Sequence, residues 1–477
     1  MTARPPLLAG LDIGTTHVKA LLCDPSGKVV VRAKSPTPYA SAAHAHPAAA
    51  LVRVALHALA ECVRAAGRAP DVVGLTGMAE AGVPLDTDGR PLGPVRAWSD
   101  PAPAPHAAQL ADTFGAHALH ARTGVLPSAK VPLAKWCALA DADPALLRRM
   151  ATWAGAADLV GHALTGKTGT DATFAQRTMA WDPVAGAWIP ELLDRAGLTP
   201  RHMPAVHAPG EPVGRVTADA ATGTGLRADT PVVVTGHDHL VGAWAAGVRE
   251  PGQVADSMGT AEAVLTVTAA PPDRERTAAE GMSWGRHADG VHHIVLAGAS
   301  SSGLLVEWFC DRFLTGLAGE RRYAEFARLV DSLPDGPCGP LVTPYAKGRS
   351  APRPDPRPRL AVHHLELGHG TAHLARAVLE GTAHHARWMT DTQARLCGAT
   401  PKAVTLLGGS TRLHAWTAIK AATGTWPTRV CAEPEAPALG AALLAGTALG
   451  LGRPWLAPRL IWRPHAGRPA RAMSIPM

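Results

Sequence analysis

At 477 residues the chain is too long for one ordinary hydrophobic core, so two domains are expected. Hydrophobic residues make up 47% and charged residues 18%, which fits a globular protein; the net charge of +7 is spread without a long basic block, which argues against nucleic acid and leaves nucleotides compatible as ligands. The seven cysteines are odd in number and far apart, with no CxxC pair, which argues against a disulfide framework or a zinc ribbon.

The first stretch with chemical content is Leu7–Asp24, LLAGLDIGTTHVKALLCD. An apolar run carries Asp12, a Gly-Thr-Thr turn follows, and a second apolar run carries Lys19, which reads as strand, turn, strand. Gly14 permits a tight turn and lets backbone N–H groups approach an anion. Thr15 and Thr16 add hydroxyl donors and Lys19 a positive charge. Asp12 would repel a phosphate unless a metal ion lay between them, and a carboxylate suits Mg²⁺, usually through its waters. The turn therefore fits Mg-nucleotide.

A third strand is expected from Val29. The spacing of Leu51, Val54, Ala55, Ala58 and Leu59 predicts a helix over Ala48–Ala66. Asp71–Thr76 reads as a buried strand opening onto Gly77, Met78, Ala79 and Glu80, so Glu80 stands just past a strand end, where α/β proteins place ligand contacts. Asp88–Gly89 marks a hairpin turn. From Pro101 to Pro204 the pattern is mostly helical, with a stop and start at Asp143–Pro144; Lys130 and Trp136 are candidates for lining a pocket. The TGKTGT turn at Thr165–Thr170 lacks the GxxxxGK spacing of a Walker A loop.

Pro231–Thr235 is an apolar strand ending at Gly236, and it delivers His237, Asp238 and His239 to the start of an apolar helix. Burying an unpaired charge there is costly, so Asp238 is a candidate catalytic group. Three adjacent residues are not expected to converge on one metal ion. Gly252–Val267 echoes the opening stretch: Asp256, Gly259 and Thr260 follow the pattern of Asp12, Gly14 and Thr15 with one residue inserted. This internal repeat suggests two domains of related topology, each with a Gly-Thr turn. A strand at His293–Ala297, a helix at Leu304–Phe313 and a long helix capped by Thr371 are expected next. His369 and His373 lack the further ligands of a zinc site. Lys402–Leu407 reads as a strand ending in Gly408, Gly409 and Ser410, where a flat base or a phosphate can lie against the backbone. The Gly/Ala-rich stretch Pro437–Gly452 is shorter than the ~20 residues of a membrane span and reads as a buried helix. With no apolar leader at the start, a cytoplasmic protein without membrane association is expected.

Taken together, LDIGTTHVKALLCD, GVPLDTDGRPLGPVRAWSD, PVVVTGHDHLVGAWAAGV, DSMGTAEAV, PYAKGRSAP, LEGTA, LLGGSTRLHAWTAIKAATG and ALGAALLAG resemble the FGGY family of carbohydrate kinases, in the actin-like and heat-shock-chaperone-like ATPase superfamily, over about residues 7–452. The resemblance implies an α/β fold of two actin-like (ribonuclease H-like) domains with a central ligand cleft. Residues 1–248 would carry sugar binding and the base, residues 249–456 ATP binding, and residues 457–477 a surface tail. The implied activity is ATP-dependent phosphorylation of a hydroxyl on a sugar, ketose or polyol, with xylulose-like ketoses as a first guess and ATP and Mg²⁺ as cofactors. The alternative is an inactive nucleotide-binding regulatory protein on the same fold.

By this resemblance Asp12 matches the Mg²⁺-associated acid. Gly14, Thr15 and Thr16, with Lys19, match the first phosphate turn, and Gly259 and Thr260 the second. Gly408, Gly409 and Ser410 match the adenosine turn, and Asp238 the catalytic base. Met78, Ala79, Glu80 and His239 fall at sugar-contacting positions. The implied partner is a small-molecule sugar, with no nucleic acid or membrane, and a homodimer is left open. Three departures stand out. No arginine follows Trp98–Ser99–Asp100. Ala79 precedes Glu80, which weakens a glycerol assignment. Leu413 and Ala422 stand where asparagine and aspartate are frequent.

Overall fold

The computed structural model describes residues 5–451 and the backbone of Arg463–Pro464. The surface tail expected at 457–477 therefore lies outside the described residues except for that pair. Two compact units are formed, one of residues 5–247, 284–293 and 435–451, the other of residues 248–283 and 294–434.

In the first unit, β1 (Leu8–Ile13) pairs antiparallel with β2 (His17–Cys23), placing Asp12 opposite Lys19. Every residue of β1 is buried, as its uninterrupted apolar run requires of a strand covered on both faces. β3 (Val29–Pro36) alternates half-buried and exposed residues and pairs antiparallel with β2. Helix α1 (Ala48–Ala66) buries Leu51, Ala55, Ala58, Leu59 and Cys62 against β2 and β3. β4 (Val72–Gly77) then lies parallel to β1.

An insertion after β4 builds its own apolar cluster. Within it, α2 (Pro132–Ala142) stops before Asp143, whose carboxylate accepts from Leu146 N at 2.9 Å and caps the next helix. Trp136 is fully buried in this cluster, edge-on to Trp153, so it is a core residue and not a pocket wall. β5 (Pro231–His237) returns to the sheet parallel to β4, giving the order β3–β2–β1–β4–β5. It runs through Gly236 to His237, two residues further than the sequence pattern indicates, with a register shift at Thr235. Helix α3 (Asp238–Ala245) begins at Asp238.

The second unit repeats this plan. β6 (Gln253–Met258) and β7 (Glu262–Thr268) form an antiparallel pair, and β8 (His293–Ala299) lies beside β7. Helices α4 (Gly303–Phe313) and α5 (Thr371–Cys397) follow. Gly370, not Thr371, is the N-cap of α5: its N–H is received by His373 Nδ1 at 3.2 Å, and Thr371 is already helical. β9 (Ala403–Leu407) is parallel to β6, and after α6 (His414–Thr423) comes β10 (Thr428–Val430), parallel to β9. The order β8–β7–β6–β9–β10 has the same sequence of strands as the first sheet.

The chain then returns to the first unit as α7 (Ala436–Ala445), buried along most of its length. A Cβ on Gly10 of β1 would lie 1.8 Å from Ala438 O, and one on Gly74 of β4 would lie 2.0 Å from Ala441 O. Two strands with a bare backbone thus let this helix sit directly on the sheet. Sequence order alone groups it with residues 249–456; packing groups it with β1 and β4. Among the described residues, no helix is long and apolar enough to cross a membrane.

Candidate active site

The carboxyl ends of the parallel strands β1, β4 and β5 lie at one edge of the first sheet, and each presents candidate residues there. From β1 comes Asp12, buried, with Oδ1 lacking any hydrogen-bond partner among the described residues. Burial, then the neighbouring Asp238, raises its pKa to about 7, while Lys19 works in the opposite direction. Lys19 itself pairs with Glu435 at 2.6 Å. The turn that follows is tight. Gly14 N–H reaches His17 O at 3.2 Å, Gly14 O accepts from the Thr37 hydroxyl at 2.7 Å, and a Cβ on Gly14 would meet His17 O at 2.8 Å. Thr15 and Thr16 are exposed on it, and the Thr15 hydroxyl accepts from Trp98 Nε1 at 2.9 Å. The Lys130 ammonium lies 5.3 Å from the centre of the Trp98 ring, so of the two pocket candidates it is Lys130 that reaches this neighbourhood.

From β4 the chain passes buried Met78 and Ala79 to Glu80, which adopts φ +67°. That region is unfavourable for a residue other than glycine and is tolerated only where the surroundings impose it. They do so here: Arg177 binds the Glu80 carboxylate through Nε and Nη2, and Lys135 of α2 donates to Glu80 O at 2.7 Å and to Lys130 O at 2.6 Å. Burial works to raise the Glu80 pKa, but Arg177, aided by Lys130 and Lys135, outweighs it and holds the group ionised. Burial lowers the Lys135 pKa to about 8.

From β5 comes Asp238. Gly236 has φ +112°, and a Cβ there would lie 2.2 Å from Thr173 Oγ1, so only glycine carries the chain through this turn. Thr76 Oγ1 fixes Gly236 O at 2.6 Å, and His237 N–H donates to Thr173 Oγ1 at 2.8 Å. Asp238 is thereby set as the first residue of α3, where the helix dipole favours a carboxylate. Its Oδ1 accepts from His239 N at 2.7 Å and lies 3.2 Å from His237 Nε2. Burial raises its pKa to about 7 against the pull of that N–H. Burial also lowers the pKa values of His237 and His239, keeping both imidazoles neutral. The ligating atoms of His237, Asp238 and His239 lie within 4.8 Å of one another. Adjacent residues do converge here, because the switch from strand to helix at this point ends the alternation of side chains.

In the second unit the Gly259–Thr260 turn joins β6 to β7, with Thr260 exposed. A Cβ on Gly408, at φ +99°, would meet Met258 O at 2.6 Å, so the turn after β9 packs directly against the end of β6. Gly409 has open space around its Cβ position and Ser410 is half-buried, which leaves a flat, accessible backbone surface there.

Arg177 and Lys135 were not singled out by the sequence pattern. Both lie in the irregular helical insertion, with no motif spacing to mark them. Glu80 was marked by its place past a strand end and by the family resemblance, but nothing in the sequence pointed to Arg177 as its partner.

The fold is that of actin-like sugar kinases. One solved example, xylulose kinase from Rhodospirillum rubrum, superposes with a TM-score of 0.86 at 28% identity, covering 98% of this chain and 94% of that one. The chain belongs to the FGGY family of carbohydrate kinases, whose N-terminal domain it matches over residues 7–245 and whose C-terminal domain over residues 254–449. It is therefore a carbohydrate kinase that uses ATP as phosphate donor. Curated relatives include the xylulose kinase of Bacillus subtilis, 26% identical over 92% of this chain and 88% of that protein. The gluconokinase of the same organism is 22% identical over 93% and 88%.

Proposed function

We propose that the enzyme transfers the γ-phosphoryl group of ATP to a hydroxyl of a ketose or related polyhydroxy compound, with Asp238 as general base. The observation that carries this is the placement of Asp12 and Asp238 at one sheet edge: buried Asp12 on β1 and half-buried Asp238 just past β5, with β4 between them, each raised to about 7. Such a group is ionised in a useful fraction near neutral pH, yet basic enough to take a hydroxyl proton.

The residues present fit Mg²⁺. Asp12 Oδ1 is a buried oxygen without a partner among the described residues, and a hard cation prefers carboxylate and water oxygens. Asp12 would hold the ion, which when bound would neutralise charge on the phosphates. Asp238 would orient the acceptor hydroxyl and receive its proton as the O–P bond forms. The neutral rings of His237 and His239 can donate or accept hydrogen bonds without adding charge. Glu80, locked by Arg177, presents a fixed carboxylate edge to acceptor hydroxyls, while Met78 and Ala79 close the apolar side. The N–H groups and hydroxyls of Gly14–Thr16 and of Gly259–Thr260 would bind phosphate oxygens, with Lys19 adding charge near the first turn, and Gly408–Ser410 would receive the adenosine. A xylulose-like acceptor is the first candidate, in keeping with the names of the relatives.

The test is ADP release from Mg-ATP across ketoses, aldoses, aldonates and polyols, with Asp238→Ala alongside. Strong stimulation by one compound, lost in the variant, is the expected result. Undiminished turnover in Asp238→Ala would remove Asp238 from the role of base.

A further inference from the structure

Lys420 of α6 is a fully sequestered ammonium in the second unit. It binds Asp256 Oδ2 at 2.6 Å and also the Glu262 carboxylate, whose other oxygen accepts from the Ser302 hydroxyl at 2.6 Å. All four residues are at most 6% exposed. Burying a cation and two carboxylates this completely carries a large desolvation cost, and such pairs add little net stability compared with apolar residues. The arrangement is therefore better explained by what it holds in place.

We infer that Lys420 is a positioning residue for the Gly259–Thr260 turn, acting as an internal cation that ties the turn to the helices on either side of it. Two segments meet at its ammonium, and a third joins through Glu262. Asp256 lies on β6 just before the turn and Glu262 opens β7 just after it. Ser302 leads into α4, whose first N–H groups grip the turn: Gly303 N reaches Gly259 O and Leu304 N reaches Thr260 O, both at 3.0 Å. A Cβ on Gly303 would lie 2.5 Å from Gly259 O, so this grip is as close as backbone permits. Lys420 itself is carried by the helix that follows the Gly408–Ser410 turn. One ammonium thus couples both turns of this unit.

The repeat sharpens the argument. Asp12 and Asp256 occupy corresponding strands, and each has an Oδ1 without a partner among the described residues; Lys19 pairs with Glu435 at 2.6 Å, whereas Lys420 binds Asp256 through Oδ2 at 2.6 Å. The second of the two related acids is thus bound directly by an ammonium of its own unit.

This inference rests on the reading that the Gly259–Thr260 and Gly408–Ser410 turns hold ATP, and the test separates the two. MgADP binding is measured by calorimetry on the full-length enzyme, together with KM for ATP and for the acceptor. The charge-free variant Lys420→Met/Asp256→Asn/Glu262→Gln keeps the volumes and a partner for Ser302. It is expected to fold, yet to lose roughly 10- to 100-fold in MgADP affinity and to show KM for ATP raised by a similar factor, while KM for the acceptor stays within about twofold. Ser302→Ala, which removes one hydroxyl and leaves the charges paired, should show the same selective effect in smaller degree, and it serves as the measurement if the triple variant does not fold. Wild-type affinity for MgADP in the folded triple variant, or in Ser302→Ala if only that one folds, overturns the positioning role. Absence of MgADP binding by the wild type overturns the reading of the turns, and with it this inference.

Discussion

At the scale of single residues, the pH dependence follows from Asp238. Its carboxyl group is raised to about 7, so below that pH it is protonated and cannot accept the hydroxyl proton. The ratio kcat/KM for the acceptor should therefore rise with pH through about 7 and level off above it. A profile flat from pH 5.5 to 8.5 would contradict this role. Asp238→Asn keeps the shape and removes the base, so kcat should fall by about 10²- to 10⁴-fold. Asp12→Asn should act differently: the Mg²⁺ concentration giving half-maximal rate should increase, and excess Mg²⁺ should recover part of the activity. These two acids were legible in the sequence because each interrupts an apolar run beside a glycine, where packing alone gives a charge no reason to be. Arg177, which fixes Glu80, was not legible: it lies 97 positions along the chain in an irregular segment, and only folding brings the two together. The convergence of His237, Asp238 and His239 was likewise invisible, since it depends on where the strand ends and the helix begins, a boundary two residues later than the apolar pattern indicates.

At the scale of elements, the tightest contact in the first unit is between a helix and bare strands. Any side chain on Gly10 collides with the carbonyl of Ala438, an atom of helical backbone that cannot rotate away. Gly10→Ala must therefore lift α7 from the sheet, at a cost above the ~1–3 kcal/mol usual for overpacking. The urea midpoint should fall markedly, whereas Gly67→Ala, at a helix end with open space around it, should cost less despite its positive φ. Equal midpoints for Gly10→Ala and wild type would show that the helix seat is looser than the contact distances imply. Helices and strands themselves were largely readable. Ala48–Ala66 follows from its apolar spacing, and β1 and β4 from their unbroken apolar runs. What the pattern could not show is that a glycine in the middle of a strand marks the seat of a helix more than 350 residues away.

At the scale of the whole molecule, the two sheets share one strand order although their sequences have little in common beyond an acid and a Gly-Thr turn. That shared order was hinted at by the repeat, but the assignment of α7 was not. A helix at the far end of the chain, one that reads as part of the second half, covers the faces of β1 and β4. Without it Leu8, Leu21 and the bare backbone around Gly10 and Gly74 would lose their cover, and a fragment of residues 1–247 would expose an apolar sheet face of the kind that binds dyes and aggregates. The same fragment extended through a flexible Gly/Ser linker by residues 435–451 should regain a cooperative thermal transition and lose dye binding. The comparison controls for the long insertion, which is identical in both. If residues 1–247 alone unfold cooperatively and do not bind the dye, then the N-terminal half is complete without α7, and the seat formed by Gly10 and Gly74 contributes to the assembled enzyme and not to the folding of its first unit.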